Sequence, residues 1–146
     1  MSNDIALVDS NVLVYAFYRE CEHHERCRAL LDQLQAQQIG LCVAPQNLAE
    51  FYAIVTDPRR VALPRQPTEA LDAIDRMLAM PGMTLLPTPS DVVHRWMALS
   101  RRHPVTRGAV FDLQLVATML GNGIRKIYTF DLADFEPFDE IEVLTP

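Results

Sequence analysis

A chain of 146 residues, 49% hydrophobic and 22% charged, has the size and balance of one soluble globular domain whose core needs no covalent staples. No apolar run approaches the roughly 18 residues of a membrane span, and Met1-Ser2-Asn3-Asp4 does not open like a leader peptide, so a cytoplasmic protein without membrane contact is expected. Three cysteines without paired spacing (Cys21, Cys27, Cys42) argue against a disulfide framework, and a net charge of −6 argues against nucleic-acid binding unless the acidic residues are gathered in one place.

Ile5-Ala6-Leu7-Val8 reads as a short strand buried on both faces, the kind a parallel sheet contains, and it ends abruptly in Asp9, Ser10 and Asn11. Asp9 therefore falls past the carboxyl end of a strand, where open α/β sheets hold their ligands. A short helix or turn over Val12 to Phe17 and an exposed connection over Arg19 to Glu25 follow. The pair His23/His24 lacks the i,i+4 spacing of a helical zinc site and reads as a solvated helix start. Cys27, Leu30, Leu31 and Leu34 mark one buried stripe of a helix running from Glu25 to Gln38, with Gly40 expected to end it. Leu41 to Ala44 is a second strand, and Pro45 opens a helix with Leu48, Phe51, Tyr52 and Val55 inward. Glu50 lies beside that stripe, either as a solvated surface residue or as a second carboxylate near the crevice.

Asp57-Pro58 stops this helix and leads into a proline-rich loop carrying Arg59, Arg60 and Arg65. The next helix is expected to be capped by Thr68 and to bury Leu71, Ile74 and Leu78. Met83 to Leu86 is a third strand. Asp91 is placed to cap the following helix, with Val92, Trp96 and Leu99 on its inner face. After a loop over Val105 to Gly108, a helix from Val110 to Leu120 turns Leu113, Val116, Ala117 and Leu120 inward, with Asp112 in its first turn. An acidic residue there has a purely structural use, since it complements the helix dipole. Lys126 to Thr129 is a fourth strand, followed at once by Asp131 and Asp134, which face the same way if the loop makes one helical turn. Ile141 to Leu144 supplies a last edge strand. Strand–helix alternation predicts a three-layer α/β sandwich with a mostly parallel central sheet of four to five strands and helices on both faces.

Four blocks in this order carry a family likeness. They are Leu7-Val8-Asp9-Ser10-Asn11-Val12-Leu13, Asn47-Leu48-Ala49-Glu50-Phe51, Phe111-Asp112-Leu113-Gln114-Leu115-Val116-Ala117 and Thr129-Phe130-Asp131-Leu132-Ala133-Asp134-Phe135. With them the chain resembles PIN-domain ribonucleases, and among these the VapC toxins of prokaryotic toxin–antitoxin pairs, along nearly its whole length as a single PIN domain over 1–146. The stretch Gly108-Ala109-Val110-Phe111 departs from the polar lead-in the family often has before the third acidic position.

The resemblance implies that Asp9, Glu50 and Asp112 form a central acidic triad, that Asp131 and Asp134 complete the set, and that Ser10 and Thr129 support it. It assigns catalysis to Asp9, Glu50, Asp112 and Asp131, and metal binding to Asp9, Asp112, Asp131 and Asp134. Clustered carboxylates repel one another, and an all-oxygen set selects Mg2+ or Mn2+ over zinc. A bound cation lowers the pKa of an attacking water and stabilises the leaving oxygen, and a pair of ions ~4 Å apart can share these tasks. Without the five carboxylates the chain has 14 acidic and 13 basic residues, so nearly all its excess charge is explained by the site.

The implied substrate is single-stranded or looped RNA, cut to leave a 3′-hydroxyl and a 5′-phosphate. The implied partners are a second copy of the chain and a small VapB-like antitoxin whose tail covers the acidic groove. Arg19, Arg59, Arg60, Arg102 and Arg107 are candidates for RNA backbone contacts. Twelve of the 13 basic residues are Arg, a count that compositional bias explains equally well. Three rivals fare worse. A HAD-type phosphatase normally has a second aspartate two residues after the first, where this chain has Asn11. A structure-specific DNA nuclease normally has an additional helical arch. A non-catalytic PIN-like RNA- or protein-binding module is expected to have lost acidic residues that this chain keeps.

Overall fold

The computed structural model describes residues 5–146, and the start Met1-Ser2-Asn3-Asp4, read above for its lack of a leader, lies outside the described residues. Successive strands of the five, each three residues long, are joined by two helices, apart from the last pair, which a single helical turn connects. In chain order the elements are β1 (Ala6–Val8), α1 (Ser10–Phe17), α2 (His24–Gln35), β2 (Leu41–Val43), α3 (Pro45–Val55), α4 (Pro67–Ala79), β3 (Met83–Leu85), α5 (Val92–Arg102), α6 (Ala109–Gly121), β4 (Lys126–Tyr128), α7 (Leu132–Phe135) and β5 (Glu142–Leu144).

The strands pair in the order β3-β2-β1-β4-β5, every pair parallel. Ala6 is in register with Leu41 on one side and Lys126 on the other, which makes β1 the centre of the sheet. Because side chains alternate along a strand, Ala6, Val8, Leu41 and Val43 enter one core with α1 to α4, while Leu7, Cys42 and Ile127 enter the other with residues of α5, α6 and α7. Helices on both faces bury the central strands twice over, hence their unbroken apolar runs. From β1 the chain winds outward through β2 to β3, then returns to the other side of β1 for β4. The strand order therefore reverses between β1 and β4, and crevices in open α/β sheets form at the carboxyl ends of such a pair.

Several local expectations shift. The first helix begins at Ser10, two residues early, because Asp9 itself caps it: the Ser10 N–H donates to Asp9 Oδ1 at 2.8 Å. The second helix stops at Gln35, and Gln37 rather than Gly40 takes the left-handed conformation beyond it, at φ 59°. Gly40 sits in a close approach, since a Cβ there would stand 3.1 Å from the Ile5 side chain. Gln66, not Thr68, occupies the cap position of α4, with Pro67 in the first turn and Glu69 Oε1 accepting from the Gln66 N–H at 2.9 Å. The buried stripe of α4 is Ala70, Ala73 and Met77, and Leu71 is 52% exposed. Asp91 precedes α5 as expected, but its carboxylate accepts from Arg95 at 2.9 Å instead of capping. The three cysteines are free thiols, and burial pushes Cys27 up to about 11 and Cys42 up to about 12.

Candidate active site

The crevice between the ends of β1 and β4 is organised around Asp9. The fully buried β1 sets its Cα, and the Asp9 N–H donates to the Tyr128 carbonyl at 3.0 Å, locking the strand end against β4. The residue is only 5% exposed. Its Oδ1 accepts from the Ser10 N–H at 2.8 Å and from Asn47 Nδ2 at 3.5 Å, and its Oδ2 accepts from the Thr129 hydroxyl at 2.8 Å. A buried carboxylate needs such donors. They do not fully offset desolvation: burial pushes the Asp9 carboxyl up to about 6, with Glu50 and Asp131 adding repulsion.

Glu50 comes from α3, which Pro45 starts directly after β2. It is half-buried and tethered rather than freely solvated: Ser10 Oγ donates to Oε2 at 2.9 Å and Gln46 Nε2 to Oε1 at 3.1 Å. The Gln46 amide also donates to the Phe111 carbonyl at 3.0 Å, joining α3 to the first turn of α6. Asp112, in that turn, is half-buried. Its carboxyl is pushed up to about 7, first by burial and then by the charges of Asp134, Asp9, Glu50 and Asp131. The Asp112 side chain thus feels the charges of all four others, which reach it from three other segments of the chain. The helix carrying Asp112 starts at Ala109, one residue before the expected position, and leaves the neighbouring Phe111 58% exposed.

Asp131 and Asp134 do share a helical turn, with the Asp134 N–H donating to the Asp131 carbonyl at 3.1 Å, and both are exposed. Asn11 bridges the two halves of the cluster. Its Nδ2 donates to Asp131 Oδ2 at 3.1 Å and to Thr129 Oγ1 at 3.3 Å, while its Oδ1 accepts from the Phe130 N–H at 3.4 Å. Thr129 is fully buried and also accepts from the Asp131 N–H at 3.0 Å, so one hydroxyl touches both aspartates.

Sequence reasoning did not single out Asn11, Gln46 or Asn47 as part of this network. Asn47 carried the clearest sign: an amide one turn before Glu50, next to Leu48 on a helix whose inner face is apolar. It is fully buried, and its Oδ1 accepts from the Ala44 N–H at 2.9 Å while its Nδ2 faces Asp9.

The arginines fall apart as a group. Arg60 lines a cavity beside Asn11, and Arg107 is exposed at φ 57° in the loop before α6. Arg59 pairs with Asp57 at 3.2 Å and Arg102 with Glu140 at 2.7 Å. Arg19 lines a different cavity, between α1, α2 and α4, together with Arg28 and Arg76. Among the described residues, His103, Asp139 and Glu140 are the one group of three whose ligand atoms stand close enough together to share a metal ion, and Arg102 already supplies a cation there.

The family model of the PIN domain matches residues 6–141. Ribonuclease VapC48 of Mycobacterium tuberculosis is 30% identical over 143 residues, covering 94% of each chain. Among solved structures, VapBC2 from Rickettsia felis superposes with a TM-score of 0.65 at 13% identity, over 97% of this chain and 98% of that one. A toxin–antitoxin complex from Klebsiella pneumoniae gives 0.62 at 17% identity, over 97% of both. With a parallel sheet in the same architecture and a family match over nearly its full length, this chain belongs to the PIN domain family.

Proposed function

We propose that this chain is a VapC-type endoribonuclease that hydrolyses phosphodiester bonds of single-stranded or looped RNA with a divalent cation. The observation that carries this reading is the hydrogen-bonded chain from Glu50 through Ser10, Asp9 and Thr129 to Asp131 at the carboxyl ends of β1 and β4, with the charges of Asp9, Glu50, Asp131 and Asp134 all reaching Asp112, in a PIN fold whose relative VapC48 is named a ribonuclease. The donor set fits a hard cation: its atoms are carboxylate oxygens, with hydroxyls behind them, and burial followed by mutual repulsion holds Asp9 up to about 6 and Asp112 up to about 7, a strain that a bound cation would relieve. Asp9, Asp112, Asp131 and Asp134 would hold Mg2+ or Mn2+, which supplies charge to activate water and to stabilise the leaving 3′ oxygen.

The chain's own side chains divide the remaining work. Thr129 and the Ser10 N–H fix Asp9 so that its orientation needs no rearrangement during the reaction. Glu50, with both oxygens already oriented by Ser10 and Gln46, is suited to take a proton from the attacking water. Asn11 keeps Asp131 turned toward the cluster.

The same reading makes this a single domain over 1–146. It works in the cytoplasm as a homodimer and is silenced by a VapB-like antitoxin, as the toxin–antitoxin complex from Klebsiella pneumoniae suggests. Among the described residues no helix is long and apolar enough to cross a membrane. The test is cleavage of pooled cellular RNA by antitoxin-free protein with Mg2+, Mn2+ or EDTA, beside Asp9→Asn, with product 5′ ends sequenced. Metal-dependent cuts that the variant does not make are expected. A folded protein that binds RNA and never cuts it would overturn the enzyme and leave a binding module.

A further inference from the structure

A cavity of about 290 Å³ opens beside the acidic cluster, between α1, the end of α3 and the segment 60–62. Successive turns of α1 build one wall through Asn11, Val14, Tyr15 and Tyr18, at i, i+3, i+4 and i+7. Ile54 and Val61 face them, and the exposed Arg60 lies at the rim. Two observations tie this cavity to the site. Asn11 lines it while its amide holds Asp131 at 3.1 Å. The Asp131 charge also reaches Tyr15, where burial first and that charge second push the phenol up.

Tyr15 is braced for a fixed orientation, with its ring edge-on to Phe130 at 5.3 Å and Phe130 stacked on His23 at 4.4 Å. The wall is thus an aromatic and aliphatic slot with Arg60 and the carboxylate of Glu20 both among its exposed lining residues, adjoining a site suited to phosphodiester chemistry. Ligand sites usually span about 300–1,000 Å³, so this one is too small for a helix of a partner and suits one planar ring. Stacking on an aromatic side chain beside a cation is how single-stranded nucleic acid is commonly held.

We propose that this cavity receives the unpaired nucleobase of a nucleotide next to the scissile phosphate, with Tyr15 as the stacking surface and Arg60 on the adjoining backbone. The proposal rests on the ribonuclease reading above and makes Tyr15 and Arg60 substrate-positioning residues.

The test is an abasic scan. A short single-stranded RNA with one cut site is synthesised with the base removed at one position at a time. Cleavage is measured for the wild type, for Ala62→Phe, which fills the cavity from its rim, and for Tyr15→Leu, with folding checked by circular dichroism. Binding of the same set to Asp112→Asn, alone and combined with Ala62→Phe, is followed by fluorescence anisotropy. At one position near the cut, loss of the base should lower kcat/KM by about tenfold or more, chiefly through KM. Ala62→Phe should treat intact and abasic RNA alike there. A flat scan with cleavage intact overturns the cavity proposal and leaves the nuclease standing. A base dependence that both variants preserve overturns it too. If nothing is cut, yet binding depends on one base and Ala62→Phe abolishes that dependence, the nuclease reading fails and the cavity stands. Base-independent binding without cleavage removes both.

Discussion

Asp9 and Asp131 lie just past the carboxyl ends of neighbouring parallel strands, yet they are held in opposite ways. Asp9 is buried, with three donors on its two oxygens, and it caps the helix that follows. Asp131 is exposed, held through the Asn11 side chain and its own backbone N–H. The fold therefore fixes one half of the site as firmly as core, while the other half sits on a four-residue helix that is anchored by the buried Phe135 and otherwise exposed. A site of this kind can keep one ligand rigid while the other adjusts to cation or substrate.

The largest effect should come from neutralising each half in turn. Asp9→Asn should reduce RNA cleavage at saturating Mg2+ by about 10²–10³-fold, the range found for losing one preorganised electrostatic group. Asp131→Asn should cost about tenfold, because an exposed, single-tethered side chain is more easily replaced by water. Equal losses in single-turnover rates would erase the distinction between the two halves.

Thr129→Val sharpens it at the level of stability. The hydroxyl donates to Asp9 and accepts from the Asp131 N–H, and its loss leaves a buried carboxylate short of a donor. A cost of about 1–3 kcal/mol in urea unfolding is expected, whereas Asp131→Asn should change stability by less than about 0.5 kcal/mol.

A smaller effect follows from the raised carboxyls. Asp9 stands at about 6 and Asp112 at about 7, against 3.8 for an ordinary aspartate, so the folded protein binds more protons than the unfolded chain between these values. Stability of the metal-free protein should then fall as pH rises from about 4 to 7 and level off above. Asp112→Asn should raise the metal-free Tm at pH 8 by about 2–4 °C and leave it unchanged at pH 4. A thermal shift series at both pH values decides this, and Mg2+ or Mn2+ at pH 8 should lift the wild type but not the variant by the full amount.

Much of the fold is legible in local pattern. Four-residue runs flanked by turn residues marked the strands, most clearly the all-apolar runs of β1 and β2, since a strand covered on both faces tolerates few polar side chains. The stripe of α2 was also readable, because Cys27, Leu30, Leu31 and Leu34 have no competing apolar face. In α4 two stripes compete one residue apart. Leu71, Ile74 and Leu78 are the more hydrophobic, but Ala70 and Ala73 are small enough to let the helix approach its neighbours closely, and Met77 fills the remaining space. Composition ranks residues by hydrophobicity; packing ranks them by shape as well.

Within the site the division is similar. The sequence by itself determined which carboxylates stand at element ends: a strand must stop before Asp9 and Asp131, and a helix must start near Asp112, because charged groups cannot continue a buried run. It could not say which amides and hydroxyls serve them. Asn47 to Asp9, Asn11 to Asp131 and Thr129 to Asp9 span 38, 120 and 120 residues of sequence. Arg60 and Arg19 look alike in a list of cations, yet only the strand order puts one beside Asn11 and the other in a separate cavity. Such pairings depend on where the reversal between β1 and β4 brings distant segments together, and only the tertiary structure decides that.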